Sequence, residues 1–247
     1  MENISKALMI SAGILFAILI LTLLIIFFNQ MSSYYSEQNK AKMVEQVTEF
    51  NSKFDNYSGK TIRGNELISV MNRVVDYNRT YSDIDGAERI TISIDLKNHQ
   101  NDFLYGEYNN NTRLFDSGTI SNQNGNDDRI NRIANASADI VSTTGIDENK
   151  LQKLSAAISF VCNTSTDESD IEKRDEQIRK ILGYSKNRNL STNEITKIQK
   201  ATSQYYQLTQ FKRSMFNCIN VVHSQNDGRV NRITFEILEE NGAIKQD

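Results

Sequence analysis

The sequence contains no proline and no tryptophan, and only two cysteines and two histidines occur among its 247 residues. Without proline, the chain has no proline-rich linker of the semi-rigid kind that could span a cell wall. Lysine and arginine total 28 against 31 acidic residues, and the two signs are interspersed. A basic surface that would follow a phosphate backbone is therefore not expected, and we predict no nucleic-acid partner.

Histidine and cysteine, which serve in many catalytic and metal sites, occur only twice each. His99 and His223 each lack a second histidine three or four residues away, so the zinc-binding helix motif is absent. Gly59-Lys60-Thr61 resembles the end of a phosphate-binding loop, but the first glycine of that motif would fall at Phe54. We therefore predict no catalytic residue, no cofactor and no metal site, and expect that the protein is not an enzyme.

The most prominent feature that is present is an apolar run, Leu8–Phe28, without a charge or an amide side chain. About 20 residues at roughly 1.5 Å each match a hydrocarbon core of about 30 Å, where only a helix satisfies its own backbone. No small-x-small cleavage site follows, which favours an uncleaved anchor over a signal peptide. Lys6 on the N-terminal side predicts a short cytoplasmic leader, residues 1–7, and an extracytoplasmic remainder. We thus expect a single-pass protein of the cell membrane, with the lipid bilayer as its first partner.

Within the membrane run, Gly13 and Ala17 lie four residues apart. Small residues at this spacing allow a second transmembrane helix to approach closely, although such pairs also occur by chance. We treat the pair as a candidate helix–helix contact.

The helix is expected to continue past the membrane run, because no glycine or proline between Asn29 and Tyr57 would end it. Apolar residues at spacings of three and four form what we call the amphipathic stripe: Met43, Val47, Phe50, Phe54 and Tyr57. We expect the transmembrane helix, residues 8–28, to continue as an amphipathic helix over residues 29–59, with Gly59 as its stop. The stripe needs a cover, either the protein's own globular domain or a second copy in a coiled coil.

The remainder, residues 60–247, is predicted to be an extracytoplasmic α+β domain. Apolar spacing predicts a helix over Asn65–Tyr77, and strict alternation predicts a strand over Arg89–Leu96. We expect a neighbouring strand at Phe103–Tyr108 and an exposed loop at Asn109–Asp128.

The C-terminal half of this domain shows two further patterns. Four helical segments form a predicted insertion over about residues 128–211, and the last has a capping box, Ser191 with Glu194. A hairpin then joins Phe216–His223 to Val230–Leu238 through an Asp-Gly turn. The fold class is therefore a long N-terminal helix followed by a small, mostly antiparallel sheet with a helical insertion.

The two cysteines, Cys162 and Cys218, both follow apolar neighbours. A disulfide between them, in an extracytoplasmic domain, would stabilise the fold by about 4 kcal/mol. The alternative is two buried thiols that pack as small apolar side chains. Because no third cysteine competes, we favour the disulfide.

The layout of the chain resembles that of type IV pilins and pseudopilins. It consists of a very short leader, a hydrophobic helix, an amphipathic extension from Met43 to Tyr57 and a head with a sheet. The leader, Glu2–Leu8, is also similar to that of uncharacterised single-pass proteins of low-G+C Gram-positive bacteria. Pilins carry a glycine or alanine processing site before the helix and a glutamate at the fifth mature position. Here Ser5-Lys6-Ala7-Leu8 enters the helix and the apolar run contains no glutamate, so the resemblance lies in the architecture.

Two functions remain open from the sequence. The first is a non-enzymatic, membrane-anchored protein that acts by contact with other protein subunits, including copies of itself, as the pilin-like resemblance implies for a pilus, secretion or conjugation apparatus. The second is a membrane-anchored envelope enzyme whose site is too scattered to be visible in one sequence.

Overall fold

The computed structural model describes residues 2–81, 88–105, 113–122, 127–240 and 242–246, and it divides the chain into two units, Met1–Asn51 and Ser52–Asp247. The second unit begins eight residues before the domain boundary predicted at residue 60.

The N-terminal helix is continuous, as predicted. Helix α1, Glu2–Asp55, runs for 54 residues without a break. It ends four residues before the predicted stop, and residues 56–59 form a turn in which Gly59 has a φ of +68°. A positive φ is readily adopted by glycine because it has no Cβ, so Gly59 closes this turn although it does not end the helix.

Seven more α-helices follow within the described residues. They are α2 Gly64–Tyr81, α3 Asp127–Ala134, α4 Ala136–Thr144, α5 Glu148–Ala156, α6 Ile158–Val161, α7 Glu168–Leu182 and α8 Thr192–Arg213. The predicted helix after Gly64 is confirmed as α2, and the predicted start of α8 is confirmed in detail. Ser191 Oγ accepts from the Glu194 amide, and the Glu194 carboxylate accepts from the Ser191 amide, which completes the capping box.

Five strands form one mixed sheet in the order β1-β4-β5-β2-β3. Their bounds are β1 Thr61–Arg63, β2 Thr91–Asp95, β3 Thr119–Ser121, β4 Met215–His223 and β5 Val230–Ile237. The β4–β5 hairpin is confirmed, while the parallel pairing of β2 with β5 joins two strands that are distant in the sequence. A separate small hairpin pairs β6, Glu239–Glu240, with β7, Ala243–Ile244.

Two local predictions are wrong. Residues 103–105 of the predicted strand Phe103–Tyr108 form no strand, and residues 106–108 lie outside the described residues. The predicted loop over Asn109–Asp128 contains β3, which pairs with β2. A strand of three residues, such as β3, is too short to show alternation. The apolar pattern at Phe103 reflects its burial in an aromatic cluster and not a strand.

The core of the Ser52–Asp247 unit has two parts. One face of β2 is completely buried through Ile90, Ile92, Ile94 and Leu96, as its alternation predicted. Phenylalanines add to the apolar core, with ring centroids of Phe103, Phe115 and Phe216 each 4.9–6.0 Å from that of Phe211. The other part lies among α4–α8 and includes the fully buried residues Leu151, Leu154, Val161 and Ile178. The α+β fold class is thus confirmed.

Two buried asparagines extend the hydrogen bonding of β2 at its start. Asn78 Oδ1 accepts from the Ile90 amide at 2.8 Å, and Asn122 Oδ1 accepts from the Ile92 amide at the same distance. Both side-chain amides donate to the Ile90 carbonyl at 2.9 Å. These bonds satisfy backbone groups that the ladder leaves open inside the core.

Candidate functional site

The apolar half of α1 exposes its side chains on every side. The large apolar residues from Ile4 to Phe28 are 43–74 % exposed, and none of the most apolar window is buried. Full burial of one such side chain is worth about 1.5–3 kcal/mol, so contact of the whole run with water costs tens of kcal/mol. By length and composition this helix can cross a membrane, which makes it the principal candidate for a functional surface.

The small-residue pair lies inside this exposed segment. Nothing stands within 4 Å of the position that a Cβ on Gly13 would occupy, and Ala17 is exposed as well. Residues four apart lie on the same face of a helix, so Gly13 and Ala17 present a shallow face with open space above it. Their contact with another transmembrane helix stays a prediction.

The exposed fraction of the side chains falls along the amphipathic stripe from Met43 to Phe54. Met43 is 61 % exposed, Val47 and Phe50 are partly buried, and Phe54 is 2 % exposed. Tyr57 is partly buried, and its hydroxyl accepts from Arg73 Nη1 at 3.4 Å. The C-terminal end of the stripe is thus part of the core of the Ser52–Asp247 unit.

The predicted disulfide is wrong. Cys162 and Cys218 are both free and buried, the first in the helical part of the core and the second on β4. The Cys162 thiol donates to the Gln199 carbonyl at 3.7 Å, and the Cys218 thiol donates to the Asn220 carbonyl at 3.9 Å. Burial raises the pKa of Cys162 to about 12 and raises that of Cys218 above its ordinary value. Because the thiolate is the reactive form, both side chains behave as small apolar residues.

A charged cluster that sequence analysis missed surrounds His99. Its Nδ1 lies 2.6 Å from Asp102 Oδ2, and its Nε2 lies 3.1 Å from Glu239 Oε1. The hydrogen bond with Asp102 is the main cause that raises the pKa of His99, and Glu239 adds to it against the opposing effect of burial. Asp102 is three residues away and was visible in the sequence, whereas Glu239 is 140 residues away and is brought close only by the fold.

The second histidine has a simpler partner. His223 Nε2, at the end of β4, lies 3.0 Å from Asp55 Oδ1, and both side chains are more than 40 % exposed. Among the residues that the structure describes, no group of three or more His, Cys, Asp or Glu side chains is placed to hold a metal ion.

A cavity of about 460 Å³ lies between α4 and α8. Its apolar lining includes Leu114, Ile140 and Ala201, and its rim carries Asp139 on α4 and two lysines of α8, Lys197 and Lys200. None of these three charged side chains forms an ion pair within the described ranges, so the rim carries charges that are free to interact with a partner.

Comparisons of the chain with protein-family models, curated proteins and solved structures give no match.

Proposed function

We propose that this protein is a membrane-anchored, extracytoplasmic protein that acts by contact with other protein subunits, as a pilin-like component of a pilus, secretion or conjugation apparatus. The apolar half of α1 is its anchor, residues 1–7 are its cytoplasmic leader, and the Ser52–Asp247 unit carries out the contacts. In this proposal the protein performs no catalysis.

The observation that carries the proposal is the exposure of the large apolar residues from Ile4 to Phe28 on an unbroken helix. A helix that is apolar on all sides is stable only where an apolar medium or other helices surround it. A lipid bilayer provides that medium, and insertion gains about 0.3–0.6 kcal/mol for each Leu, Ile, Phe or Val.

Two features support a role in subunit contact. The face of Gly13 and Ala17 is suited to close approach by a second transmembrane helix. The cavity between α4 and α8 combines an apolar floor with the free charges of Asp139, Lys197 and Lys200, which is the composition of a contact surface with a polar rim.

Topology is tested by protease treatment of intact cells that produce the chain with one epitope tag at each end. We expect the C-terminal tag to be removed from outside and the N-terminal tag to survive until the cells are lysed. An N-terminal tag that is digested in intact cells, with a protected C-terminal tag, would contradict the proposed orientation.

Contact between transmembrane helices is tested by cysteine cross-linking. Since both native cysteines are buried with raised pKa values, a cysteine introduced by Gly13→Cys is the only one expected to react in the folded protein. We expect Gly13→Cys to give covalent dimers under membrane oxidation. The matched control is Leu15→Cys, which lies about 200° around the helix and should give few. Equal yields from the two variants would argue against a specific face.

Contact through the head is tested with the double variant Lys197→Glu/Lys200→Glu, which reverses the charge of the cavity rim. We expect this variant to lower the amount of the protein in sheared surface filaments or in cross-linked membrane complexes. Lys153→Glu, an exposed charge reversal on α5, is the matched control and should assemble as the unaltered chain does. Unchanged assembly of the double variant would remove the cavity from the proposal.

A further inference from the structure

Both ring nitrogens of His99 face carboxylate oxygens. Nδ1 lies 2.6 Å from Asp102 Oδ2 and Nε2 lies 3.1 Å from Glu239 Oε1, while the imidazole itself is only 15 % exposed. Asp102 belongs to the same short segment as His99, but Glu239 lies on β6, near the C-terminal end of the described chain. The imidazole therefore joins two segments that are far apart in the sequence.

This arrangement requires a particular protonation state. An imidazolium ion carries a proton on each nitrogen and can donate to both carboxylates, whereas a neutral imidazole carries one proton and has a lone pair on the other nitrogen. A lone pair that faces an ionised carboxylate makes no hydrogen bond and is repelled by it. Loss of one proton from His99 thus breaks one of the two contacts.

The segment around His99 is held in a strained conformation. Lys97 has a φ of 47° and Asn98 a φ of 68°, and these are the two positive φ values outside glycine in the described chain. The His99 amide donates to the Leu96 carbonyl at 2.8 Å, so Leu96–His99 form a tight turn with positive φ at both central positions. Glycine and asparagine suit such positions and lysine does not, which means that surrounding contacts must hold Lys97 there.

The other charges near this turn are already paired. Lys97 Nζ lies 3.6 Å from Glu236 Oε2 on β5, and Lys245 Nζ lies 3.5 Å from Glu240 Oε2 on β6. Asp95 Oδ1 accepts from the Lys97 amide at 2.9 Å. Within the described residues, the charged groups that act on His99 are Asp102 from its own segment and Glu239 from β6. Both are acidic, so no neighbouring cation offsets their preference for the imidazolium.

We propose that His99 is a pH-dependent latch that fastens the strained turn at Lys97–Asp102 to β6 when its imidazole is protonated and releases the turn when the imidazole is neutral. The two carboxylates raise the pKa of His99 in the folded protein, so the stabilisation is fully present below the ordinary histidine value of about 6.5. It is lost as the pH rises through the raised value. Exposure to alkaline surroundings therefore loosens this part of the fold, and acid fastens it.

The test uses the full chain in detergent micelles, over a range from about pH 5.5 to about pH 9. Because the chain has only two histidines, the His223→Gln variant leaves His99 as the single imidazole in the NMR spectrum. Hydrogen exchange of the peptide that covers residues 97–104, corrected for the intrinsic effect of pH, reports the opening of the turn.

We expect the His99 resonance to titrate above about pH 6.5, and the opening of the turn to increase with the same midpoint. The opening constant should rise about tenfold for each pH unit by which the pKa is raised in the latched state. His223→Gln should show the same step as the unaltered chain, since that histidine pairs with Asp55 at a different place.

Two variants at the latch make the test specific. In His99→Gln, the turn should open to the same extent at every pH, because an amide side chain does not titrate. In Glu239→Gln, the rise of the opening constant with pH should be smaller or absent, because the glutamine side-chain amide can donate to the lone pair of a neutral imidazole. A pH step that persists in His99→Gln, or the absence of any step in the unaltered chain, would overturn the proposal. Glu239→Gln with an unchanged step would overturn it too.

Discussion

Helices α1 and α8 are the two longest in the described chain, with 54 and 22 residues. They differ in the exposure of their apolar side chains. In α8 the apolar residues Ile198, Leu208 and Phe211 are at most 5 % exposed. In the first half of α1 the large apolar residues are at least 43 % exposed. A helix with one apolar stripe can bury that stripe in the core of its own domain. A helix that is apolar on all sides is stable only where an apolar medium or other helices surround it.

The ends of the two helices show the same contrast. A capping box fixes the start of α8, and Ser191 and Glu194 together satisfy backbone groups that would otherwise face water. The apolar half of α1 continues directly into its amphipathic half without a cap or break. Helix α8 thus has the composition and the cap of a helix that folds in water, whereas the first half of α1 has the length and composition of a helix that can cross a membrane.

Removing a large side chain from each of the two helices should give the largest difference between them. Phe211→Ala empties the centre of the phenylalanine cluster and should lower the free energy of unfolding by about 3–5 kcal/mol. Phe16→Ala removes the same group from a position that is 65 % exposed, so the unfolding of the Ser52–Asp247 unit should not change. Chemical denaturation of the full chain in micelles measures both, and equal losses would contradict the contrast.

Glycines offer a second, smaller test. A Cβ on Gly64, at the start of α2, would overlap the carbonyl oxygen of Phe211, whereas nothing is near the equivalent position on Gly13. Gly64→Ala should therefore destabilise the domain by about 1–3 kcal/mol through overpacking. Gly13→Ala should leave domain stability unchanged in the same denaturation experiment. A neutral Gly64→Ala would show that α2 and α8 do not approach as closely as described.

The caps give a smaller effect still. Ser191→Ala removes the side-chain acceptor at the start of α8 and should cost about 1 kcal/mol. Asp167 occupies the equivalent position before α7 but makes no capping hydrogen bond through its side chain. Asp167→Ala should therefore cost less than about 0.5 kcal/mol, mainly through loss of a charge near the helix start. Thermal unfolding of the two variants side by side measures the difference, and a reversed order would contradict the capping geometry.

The smallest expected effect is none at all. Since Cys162 and Cys218 are free and buried, a reductant should not change the unfolding midpoint of protein secreted through an oxidising compartment. Thiol alkylation near pH 8 should be negligible in the folded state, because both thiols are buried and burial raises the pKa of Cys162 to about 12. It should be complete in denaturant, where both thiols are exposed. A mass spectrum that shows an intact Cys162–Cys218 disulfide would restore the prediction made from the sequence.

The sequence predicted those elements whose determinants are local. The uninterrupted α1, the alternating Ile90–Leu96 segment, the capping box of α8 and the Asp-Gly hairpin each depend on residues within a few positions of one another. The four helical segments predicted over residues 128–211 were less accurate, because the described residues of this region form six helices, and α3 ends at Ala134 while α4 begins at Ala136. A break of one residue leaves the apolar spacing almost unchanged.

The features that sequence analysis missed depend on distant residues. The parallel pairing of β2 with β5 brings Ile94 opposite Phe235, and no local pattern encodes that register. The separation of Cys162 from Cys218 follows from their placement in different parts of the core. The contact between His99 and Glu239 likewise exists only after the chain has folded.

The most direct test of the central claim is alkaline extraction of membranes from cells that produce the full chain. If the apolar half of α1 lies in lipid, the protein stays in the membrane pellet and dissolves only with detergent. The matched variant Leu19→Arg/Leu23→Arg, which adds about 2.5–3.5 kcal/mol of insertion cost per charge, should shift toward the supernatant. Recovery of the unaltered chain as a monodisperse protein in detergent-free buffer would contradict the account.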